Sequence, residues 1–146
     1  MIVVRTPLRI SFFGGGTDFP GWFLENNGQV LSTTINKYCY STCRLLPPFF
    51  DHKYRLAYST LEHTQTIDEI NHPLIRECFR DSDIPDGLEL HYDSDLPARS
   101  GLGSSSAFAA GLIKSLMLIK DQDISHQKLM DKAIYIERDV LDESGG

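Results

Sequence analysis

The pattern of apolar and polar positions changes character once along the chain. Up to about Tyr92, short stretches alternate at period two and are rich in β-branched and aromatic residues, with turn residues nearby. They predict strands over Ile2–Arg5, Leu8–Phe13, Gln29–Ile35, Tyr38–Leu46, Tyr54–Tyr58 and Leu88–Tyr92. "LPPFFDH", Leu46 to His52, reads as the turn of a hairpin. Asn71 is a candidate N-cap for a short helix from Pro73 to Arg80, because proline is tolerated in a first helical turn. "DIPDG" then breaks the chain. Beyond Tyr92 the spacing becomes helical. Ser104–Lys120 is apolar almost all round, which predicts a central buried helix, and Ser125 is the candidate N-cap of a last helix ending near Asp142. Strands first and helices late predict an α+β fold over 1–146: one two-layer domain, a mixed or antiparallel sheet packed against helices.

Composition narrows the function classes. The 146 residues suit one domain with a real core, and 41% hydrophobic with 23% charged residues argues against disorder. A net charge of −6 gives no general electrostatic reason to expect nucleic acid or an anionic membrane as partner. The start, "MIVVRTPLRI", does not read as a signal peptide, and no apolar run approaches a membrane span. A cytoplasmic protein with reduced thiols is expected. Cys39 and Cys43 share a face of an expected strand about 13 Å apart, too far for a common metal or a disulfide, so they read as packing residues.

Three features carry candidate chemistry. In "DLPARSGLGSSSAFAAGL", glycines precede a stiff apolar helix. A helix N-terminus exposes unpaired N–H groups, and glycine lets a phosphate approach the backbone. Ser104, Ser105 and Ser106 can donate to phosphate oxygens or ligate magnesium; equally, such a cluster can cap a helix and bind nothing. It matches neither GxxxxGK[ST] nor GxGxxG. In "LRISFFGGGTDFP", a strand runs into three glycines and then Thr17-Asp18. Asp18 could accept hydrogen bonds from sugar hydroxyls, or simply close a tight turn. In the last helix, Leu129, Met130, Ala133, Ile134, Ile136, Val140 and Leu141 form one apolar face, and Glu137 projects into it. A buried, unpartnered carboxylate is costly, so Glu137 should face a cation, a metal or a polar cleft, unless it is partly exposed or paired with a local arginine.

Pro97-Ala98-Arg99-Ser100-Gly101-Leu102-Gly103-Ser104-Ser105-Ser106-Ala107 resembles the phosphate-binding motif of the GHMP kinases, with Ser106 where alanine is commoner. Arg9 and Asp18 match an arginine and an aspartate of that family's first, sugar-binding motif. The triple glycine is most similar to the branch that phosphorylates D-glycero-D-manno-heptose 7-phosphate at its anomeric oxygen, and fucokinase-type domains carry a similar stretch. The resemblance implies ATP and Mg²⁺ as cofactors and a small sugar phosphate as the other partner. It implies that Pro97, Arg99, Ser100, Gly101, Leu102, Gly103, Ser104, Ser105 and Ser106 hold ATP. Arg9, Gly15, Gly16, Thr17 and Asp18 would hold the sugar, and Ser105 or Ser104 with Glu137 the metal. Arg9 and Arg99 are the candidates to meet the substrate's phosphate or the transferred group.

The resemblance covers all of this chain but about the first half of a typical member. The family's catalytic aspartate is therefore expected beyond Gly146, together with a third glycine-rich motif and a C-terminal domain. No catalytic residue is assigned within the chain, and an impaired kinase or a non-catalytic nucleotide- or sugar-binding fragment would follow. Self-association through the face left open by the second half is also expected.

Overall fold

The computed structural model describes residues 1–84, 86–98 and 100–143. The two first predicted strands form a single β1, Ile2–Phe12, and the next two a single β2, Leu31–Leu45. β1 passes through Thr6-Pro7 because it is the edge strand, where a missing N–H costs no ladder bond. The register against β2 shifts between Pro7 and Arg9. β3 (Tyr54–Ala57) and β5 (Leu88–Ser94) lie where strands are expected, whereas β4 (Leu61–Thr64) has too short an apolar signal to be read locally.

The five strands are ordered β1-β2-β5-β3-β4; β3 and β5 run parallel and the other pairs antiparallel. β5 thus separates β2 from β3, and Leu46–His52 is a crossover rather than a hairpin turn. Its composition is turn-like, but the strand that pairs beside it arrives some forty residues later. Leu88 and Leu90 are fully buried at the centre of the sheet, which is why β5 holds that place.

A short helix α1 (Pro20–Phe23) follows β1, and α2 spans Pro73–Ser82. The residue preceding α2 is His72, not Asn71. Asn71 instead donates its backbone N–H (2.8 Å) and side-chain amide (3.1 Å) to the buried Glu62 carboxylate. α3, Ser104–Ile119, crosses β1 and β2, and every residue in it except Ser105 is buried or half-buried. Ala109, Leu112, Ile113 and Leu116 meet Cys43, Leu90, Ile75 and Phe79 in the core. α4 (His126–Ile134) begins at Ser125, whose hydroxyl accepts the Lys128 N–H at 3.3 Å. It continues as a π turn over Tyr135–Val140 rather than as regular helix.

Helices cover one face of the sheet. The other face is polar: Glu89 gathers Arg44, Arg55 and His91, and Arg5 stacks on Tyr38. The arrangement is an α+β domain with a mixed sheet. All three cysteines are buried and free, and burial pushes the Cys43 thiol up to about 12. Among the described residues no helix is long and apolar enough to cross a membrane.

Gly111 marks a close approach of α3 to the sheet. A Cβ there would meet Thr6 Oγ1 at 2.8 Å and Ser41 Oγ at 3.2 Å. Gly111→Ala is expected to destabilise the domain by about 1–3 kcal/mol through overpacking. Gly21→Ala in α1, whose methyl meets open space, should leave the unfolding free energy from urea titration unchanged or raised by up to about 1 kcal/mol. Equal midpoints for the two variants would refute the close contact.

Candidate functional site

The connection from β5 to α3 turns on two glycines with left-handed backbone, Gly101 (φ 74°) and Gly103 (φ 72°). Gly103 occupies the N-cap position of α3, where no side chain caps the first turn, so its N–H groups remain available to a ligand. The loop is fastened to β1 from below: the Arg9 N–H donates to Leu102 O at 3.0 Å. The Arg9 side chain lies across Gly103, so a Cβ there would come within 2.9 Å of Arg9 Cγ. Its guanidinium donates to Ser11 Oγ at 2.9 Å. Arg9 therefore stands against the serine loop. Arg99 lies outside the described residues.

At the other glycine stretch, Phe13 (φ 65°) and Gly14 (φ 74°) swing the chain out of β1. The Asp18 N–H donates to Gly15 O at 3.0 Å, and the Asp18 carboxylate fills the space that a Gly15 side chain would need. Gly16 meets nothing within 4 Å of where a Cβ would stand. Thr17 is a fastener: its hydroxyl donates to Gln29 O (2.8 Å) and accepts the Gln29 N–H (3.0 Å), locking the turn onto the chain entering β2. Asp18 is left with its carboxylate on a cleft.

Glu137 reaches the same cleft through the π turn. The Leu141 N–H donates to Ile136 O, five residues back, at 3.0 Å. Two consecutive side chains of this turn are buried, Ile136 (0% exposed) in the core and Glu137 (8%) against the loop. The Ser106 hydroxyl donates to Glu137 Oε1 at 3.4 Å. Burial pushes the Glu137 carboxyl above the usual carboxylate range; the hydroxyls of Ser105 and Ser106 pull it back in part, and Glu143 pushes it further up. Among the described residues no cation pairs with it.

The cleft has a volume of about 640 Å³. It brings together Thr17, Asp18, Ser106 and Glu137, from three segments far apart in the chain. The rest of the described loop, Pro97, Ser100, Gly101, Leu102, Gly103, Ser104 and Ser105, does not line it, and neither do Gly15 and Gly16. Sequence reasoning missed Phe23, Gln29, Val30, His126, Met130, Ile134 and Arg138 as lining residues. For Met130, Ile134 and Arg138 a signal existed, a stripe at four-residue spacing on α4 and its extension. Nothing local marks Phe23 or Gln29, which arrive through the Thr17 fastening.

Among the described residues no three His, Cys, Asp or Glu side chains cluster as a ready-made metal site. One buried carboxylate beside serine hydroxyls is nevertheless the hard oxygen set that suits magnesium, which usually takes one or two carboxylates and completes its shell with water and phosphate. The loop suits a polyphosphate for a separate reason: open space surrounds Gly101, with no heavy atom within 4 Å of where its Cβ would be.

A family model described as the GHMP kinases N terminal domain matches residues 65–146. The D-glycero-alpha-D-manno-heptose 7-phosphate kinase of Campylobacter jejuni is 30% identical, over 99% of this chain and 45% of that protein. The bifunctional fucokinase/GDP-fucose pyrophosphorylase of Arabidopsis thaliana is 28% identical, over 98% of this chain and 15% of that protein. The crystal structure of a D-glycero-D-manno-heptose 1-phosphate kinase from Bacteriodes thetaiotaomicron superposes with a TM-score of 0.83 at 24% identity, over all of this chain and 51% of that one. At that identity the likeness is one of fold. The chain spans less than half the length of these curated relatives.

Because the folded-state Glu137 carboxyl titrates above its unfolded value, its ionisation opposes folding. The stability tied to its proton is fully present below the unfolded carboxylate range and is lost as pH rises through the higher folded value. Glu137→Gln should therefore raise the urea midpoint at pH 7, and the gain should shrink on acidification towards pH 4. A variant less stable than the parent at neutral pH would refute the assignment of Glu137 as a strained, uncompensated carboxylate.

Proposed function

The chain belongs to the GHMP kinase family, and from that premise we propose that it is the N-terminal, ATP-binding part of a cytoplasmic sugar kinase. The reaction would move the terminal phosphoryl group of ATP to the anomeric hydroxyl of D-glycero-D-manno-heptose 7-phosphate. One observation carries the reading: a buried carboxylate with no cation beside it among the described residues, Glu137, faces the serine of a glycine-rich helix start in the same cleft as Asp18. Each part answers a need of phosphoryl transfer, which rests mostly on positioning and electrostatics.

In this reading the backbone N–H groups of Gly101 to Ser106 hold the phosphates, and the positive φ of both glycines aims them. Ser105 or Ser104 with Glu137 would hold Mg²⁺, whose charge neutralises the phosphates when it is bound. Asp18 accepts hydrogen bonds from sugar hydroxyls and so orients the acceptor; Thr17 holds Asp18 there. Arg9, braced on Gly103, carries positive charge beneath the loop. The family resemblance assigns the base that takes the acceptor's proton to an aspartate expected beyond Gly146, and none of these groups is given that role. A fucokinase-like activity is the second reading, favoured by the 28% identity to the fucokinase protein over nearly all of this chain.

Three outcomes test these assignments. The 146-residue chain should bind ATP in a magnesium-dependent way, and Ser105→Ala or Glu137→Gln should each weaken that binding by about tenfold, the worth of one charge-assisted contact. Calorimetry with and without EDTA reads this, and affinities equal to the parent's would remove the metal role. In a kinase assay the chain alone should turn over little, since general-base loss typically costs roughly 10²–10⁴ in rate. A protein carried on to the relatives' length should phosphorylate heptose 7-phosphate in preference to fucose; the reverse preference would favour the second reading, and equal turnover by the short and long chains would place the base within these residues. Finally, Phe12 and Leu31 pair across β1 and β2 while 47% and 62% exposed, and Phe19 and Trp22 nearby are about half exposed. Light scattering should show concentration-dependent self-association of the short chain that Trp22→Ser weakens; a strict monomer would refute it.

A further inference from the structure

α4 and the turn after it present two rows of side chains to the cleft. Ala133 and Glu137, 7% and 8% exposed, make the floor. Met130, Ile134 and Arg138, at four-residue spacing and all exposed, make the rim above it. The described lining carries two carboxylates, Asp18 and Glu137, and its cationic side chains are Arg138 and, when protonated, His126. A phosphorylated ligand entering beside two carboxylates needs a cation facing it.

Arg138 is prepared for that role. Its Nε and Nη2 donate to the neighbouring Asp139 carboxylate at 2.7 and 3.1 Å, which holds the plane of the guanidinium. The Nη1 edge has no partner among the described residues. An exposed ion pair between sequence neighbours is weak, so a phosphate dianion can take that edge, or compete for the whole fork, without dismantling any packing. Arg9 does not duplicate the role, because it lies across Gly103 and outside the cleft lining.

We infer that Arg138 is a phosphate-binding residue of the cleft, oriented by Asp139 and reaching over the Glu137 floor to a phosphate group of the bound ligand. The inference rests on the kinase reading above. The phosphate comes from one of two sources, the acceptor's own ester or the terminal phosphate of the nucleotide.

The test uses the 146-residue chain, its Arg138→Gln and Arg138→Lys variants, and calorimetric titration with heptose 7-phosphate, the unphosphorylated heptose, ATP and ADP in the presence of magnesium. The side chain is exposed, so both variants should melt with the parent. Arg138→Gln should weaken heptose 7-phosphate about tenfold and leave the unphosphorylated heptose unchanged, with partial recovery in Arg138→Lys, which keeps the charge but loses the fork. A loss confined to ATP, with ADP unchanged, would instead assign the contact to the nucleotide's terminal phosphate and still support the inference. Parent-like affinities for every phosphorylated ligand in Arg138→Gln would overturn it while leaving the kinase reading intact. A parent chain that binds none of the four would overturn the kinase reading itself.

Discussion

The close seat of α3 on β1 and β2 is the contact on which the rest of the site depends. Gly111 brings the helix backbone against Thr6 and Ser41, and a fully buried row of apolar side chains fills the space around it. With the helix axis set, its first turn can point only one way. The Arg9–Leu102 hydrogen bond and the Arg9 shelf under Gly103 then fix the loop that leads into it. Flexible residues are placed on a rigid support. The loop needs glycine for its backbone angles, and the helix behind it provides the order that glycine lacks.

The same helix makes Glu137 possible. A carboxylate sunk into the face of α4 costs stability, seen as a titration pushed upward by burial. Among the described residues the Ser105 and Ser106 hydroxyls offset it in part, and both belong to the start of α3. The π turn carries both groups, with Ile136 in the core and Glu137 against the serine loop.

Local physics in the sequence reached far. The burial of Ser104–Ile119, the glycine bend before it, the Ser125 cap and the out-of-place carboxylate at 137 all follow from spacing and residue type, because each depends on neighbours within a few residues. So does the two-layer α+β class. Local signals fail where distant pairing decides. Thr6-Pro7 and Asn36-Lys37 read locally as breaks, but β1, an edge strand, and β2, a long strand, each run through them. The Leu46–His52 segment looks like a hairpin turn until β5 arrives to separate its flanking strands. Asn71 has the chemistry of a cap, but its amide is taken by Glu62, nine residues earlier.

The cleft shows the division most clearly. Periodicity alone placed Glu137 on an apolar face, and residue chemistry alone gave Asp18 and the serines the capacity to bind a ligand. Their meeting, and the inclusion of Phe23 and Gln29, came only from the packed fold. A side chain's own preferences are written in its immediate neighbours. The company it keeps across a cleft is set by how helices seat on the sheet, which leaves no periodic trace in the chain.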